Sequence, residues 1–350
     1  MELSSLSRIA QPAALLLPVL VAVPLIAGFL GAWHPAFDSF AHFRAHLAFA
    51  LALASLPSLF FGYRLEAATA LLLAVCAFAT TLDRLPLPGV GQVRAAFQPK
   101  DADRATYRLL HLNLRFNNPT PERVLSLIGR TQPDVVTLNE VSQMWRDKLA
   151  LISATYPYRL VCDAPGWVGG AAILSRRPFA DGDAGACDKD GLMARVGVDF
   201  GGERIDMAAM HLSWPWPFEQ PRQIDLLREP LKRLGGTALV AGDLNATSWS
   251  AAVRQVAGAG HMTRVEGIGP TWLYRRLPKA WRPWIGLPID QIFAKGRVTV
   301  HSARVVEDVG SDHAPVLVEF SLAPRDPGNG EPSVTTIVND KARAATSVAS

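Results

Sequence analysis

Residues 106–116 read TYRLLHLNLRF, and residues 237–245 read TALVAGDLN. Each is a short aliphatic run that changes character at its far end, where Asn113 in one and Asp243 and Asn245 in the other replace the apolar residues. The same pattern spreads outward along the chain: DVVTLNEV (134–141), AAILS (171–175), LMARVGVDF (192–200), RIDMAAMHL (204–212), PIDQIFA (288–294), VTVHSARVV (298–306) and APVLVEFSL (314–322). These runs are short, rich in Val, Ile and Leu, and several alternate, which predicts strands. Helical patterns lie between some of them. Pro121 opens one, with Thr120 as its cap. Another sets Ile224, Leu227, Leu231 and Leu234 on one face, with Pro230 expected to shorten or kink it. A third carries Trp249, Val253 and Val256. Many strands with few crossover helices predict packed sheets flanked by helices rather than one doubly wound sheet.

The first third of the chain is different. The whole has 350 residues, 49% hydrophobic and 19% charged, below the roughly one quarter usual in soluble domains. Residues 1–100 carry only 10 charged side chains and the other 250 carry 56. From Ile9 to Phe37 there is none, and PAALLLPVLVAVPLIAGFLGAW (12–33) suits a helix of about 20 residues across a bilayer. Arg8 before it also suits a signal peptide. Two further apolar runs predict a bundle of about three transmembrane helices, with spans near 12–33, 45–63 and 66–84, making residues 1–84 a membrane region. The stretch 85–103, rich in Pro and Gly and then in charge, reads as a linker. Residues 104–322 form the soluble domain, and 323–350 a disordered tail.

The net charge is +4, split evenly between the two parts, so the soluble domain lacks the broad basic field of a nucleic-acid binder. Three cysteines exclude a disulfide-dense scaffold, and none forms a CxxC pair. Cys162 and Cys187 are either one bridge, in an oxidising compartment, or two separate thiols.

Polar groups recur at strand ends: Asn113, Glu140, His211, Asp243, Asn245, Asp290, and Asp312 with His313 in GSDHAP. Singly, each has an ordinary reading, as a turn, a cap or a satisfied core polar group. Together they supply oxygen ligands suited to Mg²⁺ and two histidines suited to proton transfer or phosphate contact. A zinc cluster, a GxSxG elbow and a GxxxxGK[ST] loop are all missing from the sequence. Metal-assisted attack of water is the chemistry this inventory supports.

LHLNLRFNN, PDVVTLNEV, GGAAILSRRPF, MHLSWP, LVAGDLNA, PIDQIF and GSDHAPVLVEF stand in the order found in the endonuclease/exonuclease/phosphatase superfamily, which the chain resembles from about Arg104 to Leu322. The resemblance implies a four-layer α/β sandwich: two packed mixed sheets flanked by helices. It implies Mg²⁺ as cofactor, with Mn²⁺ as the alternative. Glu140 resembles the principal metal ligand, in LNE where LQE is more usual, and Asn113 and Asp312 resemble its neighbours at the metal. Asp243 resembles the carboxylate that orients or deprotonates the attacking water, and Asn245 its partner in holding the phosphate. His313 resembles the histidine facing the scissile phosphate, Asp290 the carboxylate that orients it, and His211 the second active-site histidine. Some members have an acidic residue where this chain has Arg115, and no acidic partner for His211 is evident.

SWPWPF (213–218) and TWLYRRLPKAWRPWIGLP (271–288) are expected at the mouth. Their interleaved aromatics and cations suit a lipid headgroup region, or stacking on single-stranded nucleic acid. The expected partners are therefore the lipid bilayer and a phosphoester substrate. That substrate is read as a lipid-linked phosphate or a phospholipid headgroup, and membrane-anchored bacterial members make an isoprenoid pyrophosphate a candidate. DNA or RNA is the alternative substrate, and a non-catalytic phospholipid-binding module the remaining reading. The expected location is the cell membrane, multi-pass, with the catalytic domain extracytoplasmic, although Arg8 and Arg64 against Arg44, Arg84 and Arg94 slightly oppose that orientation.

Overall fold

The computed structural model describes residues 2–82, 98–101 and 103–324. All nine predicted strands are present, and three short ones join them. In chain order they are β1 (Tyr107–Asn113), β2 (Val135–Val141), β3 (Tyr158–Val161), β4 (Gly170–Ser175), β5 (Ala186–Asp188), β6 (Met193–Asp199), β7 (Arg204–His211), β8 (Ala238–Asp243), β9 (Thr263–Arg264), β10 (Asp290–Lys295), β11 (Val298–Val305) and β12 (Val316–Leu322). They form two six-stranded sheets, ordered β11-β12-β1-β2-β4-β3 and β5-β6-β7-β8-β10-β9.

Both sheets are mixed for the same reason. Each contains one parallel pair, β1 with β2 and β7 with β8. A parallel pair needs a crossover, supplied by helices α5 (Pro121–Thr131) and α7 (Gln220–Lys232). Leu109, Val135, Ile173, Val196, Met207, Leu239, Ile292 and Phe320 fill the space between the sheets. Outside one sheet, α5 and α6 (Gln143–Ala150) bury Leu127, Ile128, Trp145 and Leu149. Outside the other, α7 and α8 (Ala251–Gly260) bury Ile224, Leu227, Leu231, Val253 and Val256. The result is the expected four-layer sandwich.

One local expectation changes: Thr120 stands at the start of α5, but its side chain does not cap the helix; its hydroxyl donates to Val309 O. Pro230 lies buried inside α7, which ends two residues later at Lys232, before Leu234.

Before the sandwich come α1 (Glu2–Ala27), α2 (Pro35–Ala41), α3 (Arg44–Phe60) and α4 (Arg64–Ala79). The three expected spans are not realised as such. Among the described residues no single helix is long and apolar enough to cross a membrane. The run from residue 12 breaks after Ala27, and only Gln11–Ala27 is a continuous apolar helix there. With 17 and 16 residues, α3 and α4 would reach about 25 Å, short of a core of about 30 Å. The pair α2 and α3 meets the length and composition requirement together, but is bent by 67°. What these helices do have is apolar surface. Leu20, Val23, Phe49, Phe60, Leu72 and Val75 are exposed, while the interior between α1, α3 and α4 is a small set including Leu25, Leu51 and Ala74.

Within the predicted linker, Gln98 lies along β11, with its N–H on Val300 O and its carbonyl against His301. The predicted tail, 323–350, lies outside the described residues from 325 on, as do 85–97 and 102 of the predicted linker.

Candidate active site

The parallel pairs explain where the polar residues gather. In a parallel pair both strands end on the same side, so β1 and β2 deliver Asn113 and Glu140 together, and β7 and β8 deliver His211 and Asp243 as register partners. Strand β10 runs antiparallel to β8 and begins there, which places Asp290 opposite Asp243. Strand β12 begins at the same end, just after Asp312 and His313. One end of the sandwich thus collects every predicted site residue.

The contacts are specific. Asn113 donates through Nδ2 to Glu140 Oε1 at 3.0 Å and to Asp243 Oδ2 at 2.9 Å, joining carboxylates from the two sheets. Phe116 N–H donates to Glu140 Oε2 at 2.8 Å. Glu140 itself sits in a bulge of β2 with φ 58°, the left-handed region that a glutamate rarely occupies. Gly169, at φ 89°, lies so close to the Val141 carbonyl that no side chain would fit. Asp243 accepts the Asn245 N–H at 2.8 Å, while Asn245 Nδ2 donates to Leu212 O. His313 Nε2 and His211 Nε2 stand 3.5 and 3.6 Å from Asp243 Oδ2. His313 Nδ1 donates to Asp290 Oδ2 at 2.8 Å.

The electrostatics separate two roles. Burial alone would lower His313, but the Asp290 and Asp243 carboxylates outweigh it and raise the ring to about 10. Burial would raise Asp290, yet His313 and the bond from His111 hold it well below the usual carboxylate range. This pair is therefore imidazolium and carboxylate at neutral pH. Burial pushes the Asp243 carboxyl up despite the pull of His313, which increases its affinity for a proton.

Two groupings could hold a cation. Asp243, Asp290 and His313 have ligand atoms within 4.8 Å of one another. Within this trio Asp290 and His313 are already joined by a hydrogen bond of 2.8 Å. The other is Glu140, whose two carboxylate oxygens are of the kind a hard divalent ion takes; Asn113 beside it turns its amide N–H groups to Glu140 and Asp243, and its Oδ1 accepts the Arg115 N–H.

The sequence model of the Endonuclease/Exonuclease/phosphatase family matches residues 110–313. The chain belongs to this family. It is a hydrolase of the phosphoesterase and nuclease superfamily. Among solved structures, D. rerio TDP2 complexed with a single-strand DNA product is similar at 19% identity and a TM-score of 0.51, over 62% of this chain and 99% of that one. An endonuclease/exonuclease/phosphatase from Bacteroides vulgatus is similar at 19% identity and a TM-score of 0.51, over 63% of this chain and 100% of that one. A Staphylococcus aureus beta toxin with bound magnesium ions matches at 15% identity and a TM-score of 0.45, over 63% and 100%. At these identities the likeness is one of fold. No protein of curated function matches the sequence.

In this family member, Asp312 stands slightly apart. Its main-chain carbonyl accepts from Leu273 N–H and from Arg282, while its carboxylate acts on His313 through charge. Arg115 turns its side chain to Asn117 and gives its N–H to Asn113 Oδ1. The acidic neighbour of His211 is Asp243 itself.

Sequence reasoning missed His111, Asn139 and Ser311. His111, fully buried, lies 3.3 Å from the second Asp290 oxygen, and Thr137 lies against its other ring nitrogen. Asn139 Oδ1 accepts the Asp243 N–H, and Ser311 bridges Asn113 O and His313 N–H. A signal existed for the first two. His111 is two residues from Asn113, and Thr137 and Asn139 are their register partners, so period-2 spacing puts all four on one face.

The aromatic segments reach the site through Trp272 and Trp214. Trp272 bridges to His313 through the backbone and meets Trp214 edge-on at 5.7 Å. Phe116 meets Trp167 at 4.4 Å beside Glu140. The cations are divided: Arg275 and Arg276 are exposed, whereas Arg282 is buried beside Asp308 and the Asp312 carbonyl, so it belongs to the frame and not to a headgroup surface.

Proposed function

We propose that this chain is a membrane-tethered, Mg²⁺-dependent phosphoesterase acting on a lipid-linked phosphate or phospholipid headgroup, with Mn²⁺ as the alternative ion. The observation that carries the chemistry is the position of Asp243 between His211 and His313, with Asn113 linking it to Glu140. Glu140 would hold the ion, with Asp312 and, once its amide turns its oxygen inward, Asn113 as the further ligands that the family resemblance implies; when bound, the ion polarises the phosphate and offsets charge on its oxygens. Asp243 takes the proton of the attacking water, its affinity raised by burial. Asn245 holds the phosphate beside it. His313, kept protonated by Asp290, faces the developing negative charge and donates a hydrogen bond or proton to it. His211 contacts the phosphate from the other side of Asp243.

The exposed apolar faces of α1, α3 and α4 support the tether. Exposed Trp216, Trp281, Trp284 and Ile285, with Arg275 and Arg276, give the mouth an interfacial character. The Cys162–Cys187 disulfide supports an extracytoplasmic catalytic domain, since such bonds persist in oxidising compartments. A nuclease is the second reading. It is favoured by the aromatic pairs at the mouth, which suit base stacking, and TDP2 of the same fold binds a single-strand DNA product.

A phosphate- and nucleotide-release screen of the purified full chain, over lipid pyrophosphates, phospholipids and DNA, with and without Mg²⁺, separates the readings. Metal-dependent release from a lipid substrate is expected. Efficient DNA cleavage with no lipid turnover makes it a nuclease, and no turnover of any of them leaves a binding module. Asp243→Asn and His313→Ala should each lower turnover by about two or more orders of magnitude, with losses that do not add in the double variant.

A further inference from the structure

The loop that follows Asn245 is held from an unexpected direction. Between Asn245 and α8 the chain is largely buried, and four hydrogen bonds to it and to the first two residues of α8 come from α2 and the residue after it, about two hundred positions earlier in sequence. Asp38 Oδ1 accepts the Ala251 N–H at 2.7 Å and Oδ2 accepts the Ala252 N–H at 2.9 Å. His42 Nδ1 accepts the Thr247 N–H at 3.1 Å. The Trp249 indole N–H donates to Ala41 O at 2.6 Å. Asp38 and His42 are themselves buried, at 6% and 4% exposure, which a carboxylate and an imidazole of a merely adjoining segment would not need to be.

The first N–H groups of a helix have no partner within it. Here Asp38 serves two and Ser250 Oγ serves the Val253 N–H, so the start of α8 is fixed by a carboxylate from another part of the molecule, with the charge the helix end favours. A Cβ at Gly31 would collide with the Asp38 carboxylate, so the turn before α2 is shaped to admit it. At the other end of the loop, Asn245 has φ 48° and is tied to Asp243 and Leu212. The sheet therefore fixes where the loop begins, and the N-terminal helical region fixes where it goes.

We propose that Asp38 and His42 are positioning residues for Asn245, so that the N-terminal helical region forms part of the frame of the active site and is more than an attachment. This rests on the reading of Asn245 as a phosphate-holding group. A displacement of a reacting group by about an ångström costs on the order of a hundredfold in rate, so loss of these contacts acts on kcat.

The test uses the full chain in detergent micelles, with bis(4-nitrophenyl) phosphate and Mg²⁺ as the probe. Asp38→Ala and His42→Leu are each expected to lower kcat by about tenfold to a hundredfold, with KM and the Mg²⁺ titration midpoint within about twofold, because Glu140 and Asn113 lie off this loop. In His42→Asn the side-chain oxygen takes the place of Nδ1, so kcat should return to within about twofold of the original. Hydrogen exchange at residues 247–252 should quicken in Asp38→Ala and His42→Leu and stay slow in His42→Asn, with β8 unchanged in all. Should Asp38→Ala fail to fold, Asp38→Asn, which keeps one acceptor, replaces it. Unchanged kcat and unchanged exchange overturn the proposal. So does an equal loss in His42→Asn accompanied by faster exchange throughout the sandwich, which marks a general structural role. If the unaltered chain does not hydrolyse the probe, the reading of function is what fails, and exchange at 247–252 still decides whether α2 holds the loop.

Discussion

Glu140 adopts a backbone conformation at φ 58° that costs about 1–3 kcal/mol for a residue with a side chain. Such strain is kept where the surroundings need the side chain in one place, and here that place is beside Asn113. Glu140→Gln keeps the volume and the Phe116 N–H acceptor but removes a charge. It should weaken Mg²⁺ binding, read by titration, and abolish most hydrolysis while leaving the unfolding midpoint near that of the original. An unchanged titration and unchanged turnover would remove Glu140 from the metal site. The Asp290–His313 pair gives a pH signature. The folded His313 is raised to about 10 from an ordinary 6.5, so its stabilisation is complete below about 6.5 and is lost as pH rises through about 10. The folded Asp290 is depressed, so its share is present above about 3.8 and is lost as pH falls below that. Urea unfolding in chelator at pH 6, 8 and 10 should show falling stability in the original chain and a much flatter response in Asp290→Asn. At this scale the sequence displayed the charged and amide groups, because a polar residue closing an apolar run stands out. It marked His111 and Asn139 only by their two-residue spacing from Asn113 and Thr137, and Ser311 not at all; the importance of all three comes from partners on other strands. Nor did it display Asp38 and His42, which sit inside an apolar region with nothing nearby in sequence to mark them.

The elements were legible in proportion to their periodicity. Nine strands could be read because each is long enough to repeat, whereas β3, β5 and β9 have 4, 3 and 2 residues and owe their extended form to neighbours. The apolar helices were legible as helices but not as complete spans, since hydropathy counts residues and does not see the break after Ala27 or the bend between α2 and α3. Whether Cys162 and Cys187 pair also depends on three dimensions: β3 belongs to one sheet and β5 to the other, and the bond fastens the two together at that edge. It closes a loop with a sequence separation of 25, and loops of that size gain on the order of 3 kcal/mol from the constraint on the unfolded chain. Replacing both cysteines with Ala should therefore lower the unfolding free energy by about 2–4 kcal/mol, read by denaturant titration. A loss below about 0.5 kcal/mol would mean that the sheets hold this edge without help.

For the molecule as a whole, the apolar helices and the mouth loops bear on one another: Ser39 donates to Trp216 O, and His46 lies 3.1 Å from Ile285 O. A bilayer that accepts the helices would then meet the mouth as well. The full chain should bind anionic vesicles, and Trp281→Ala with Trp284→Ala should weaken that binding. Arg275→Gln with Arg276→Gln should reduce its dependence on salt, at about 1 kcal/mol for each cation near such a surface. Turnover of a small soluble phosphodiester should fall much less. If the unaltered chain ignores vesicles and cleaves DNA, the lipid reading gives way to the nuclease. The layered architecture has one more consequence. Asn113 to Asp243, Asn139 to Asp243, and His111 and His313 to Asp290 all reach from one sheet to the other. Neither sheet holds all of these groups by itself. Turnover should therefore behave as a vernier for the alignment of two slabs: a slip too slight to unpair a single strand should lower it, and activity should be lost on warming below the temperature at which the backbone scaffold unfolds.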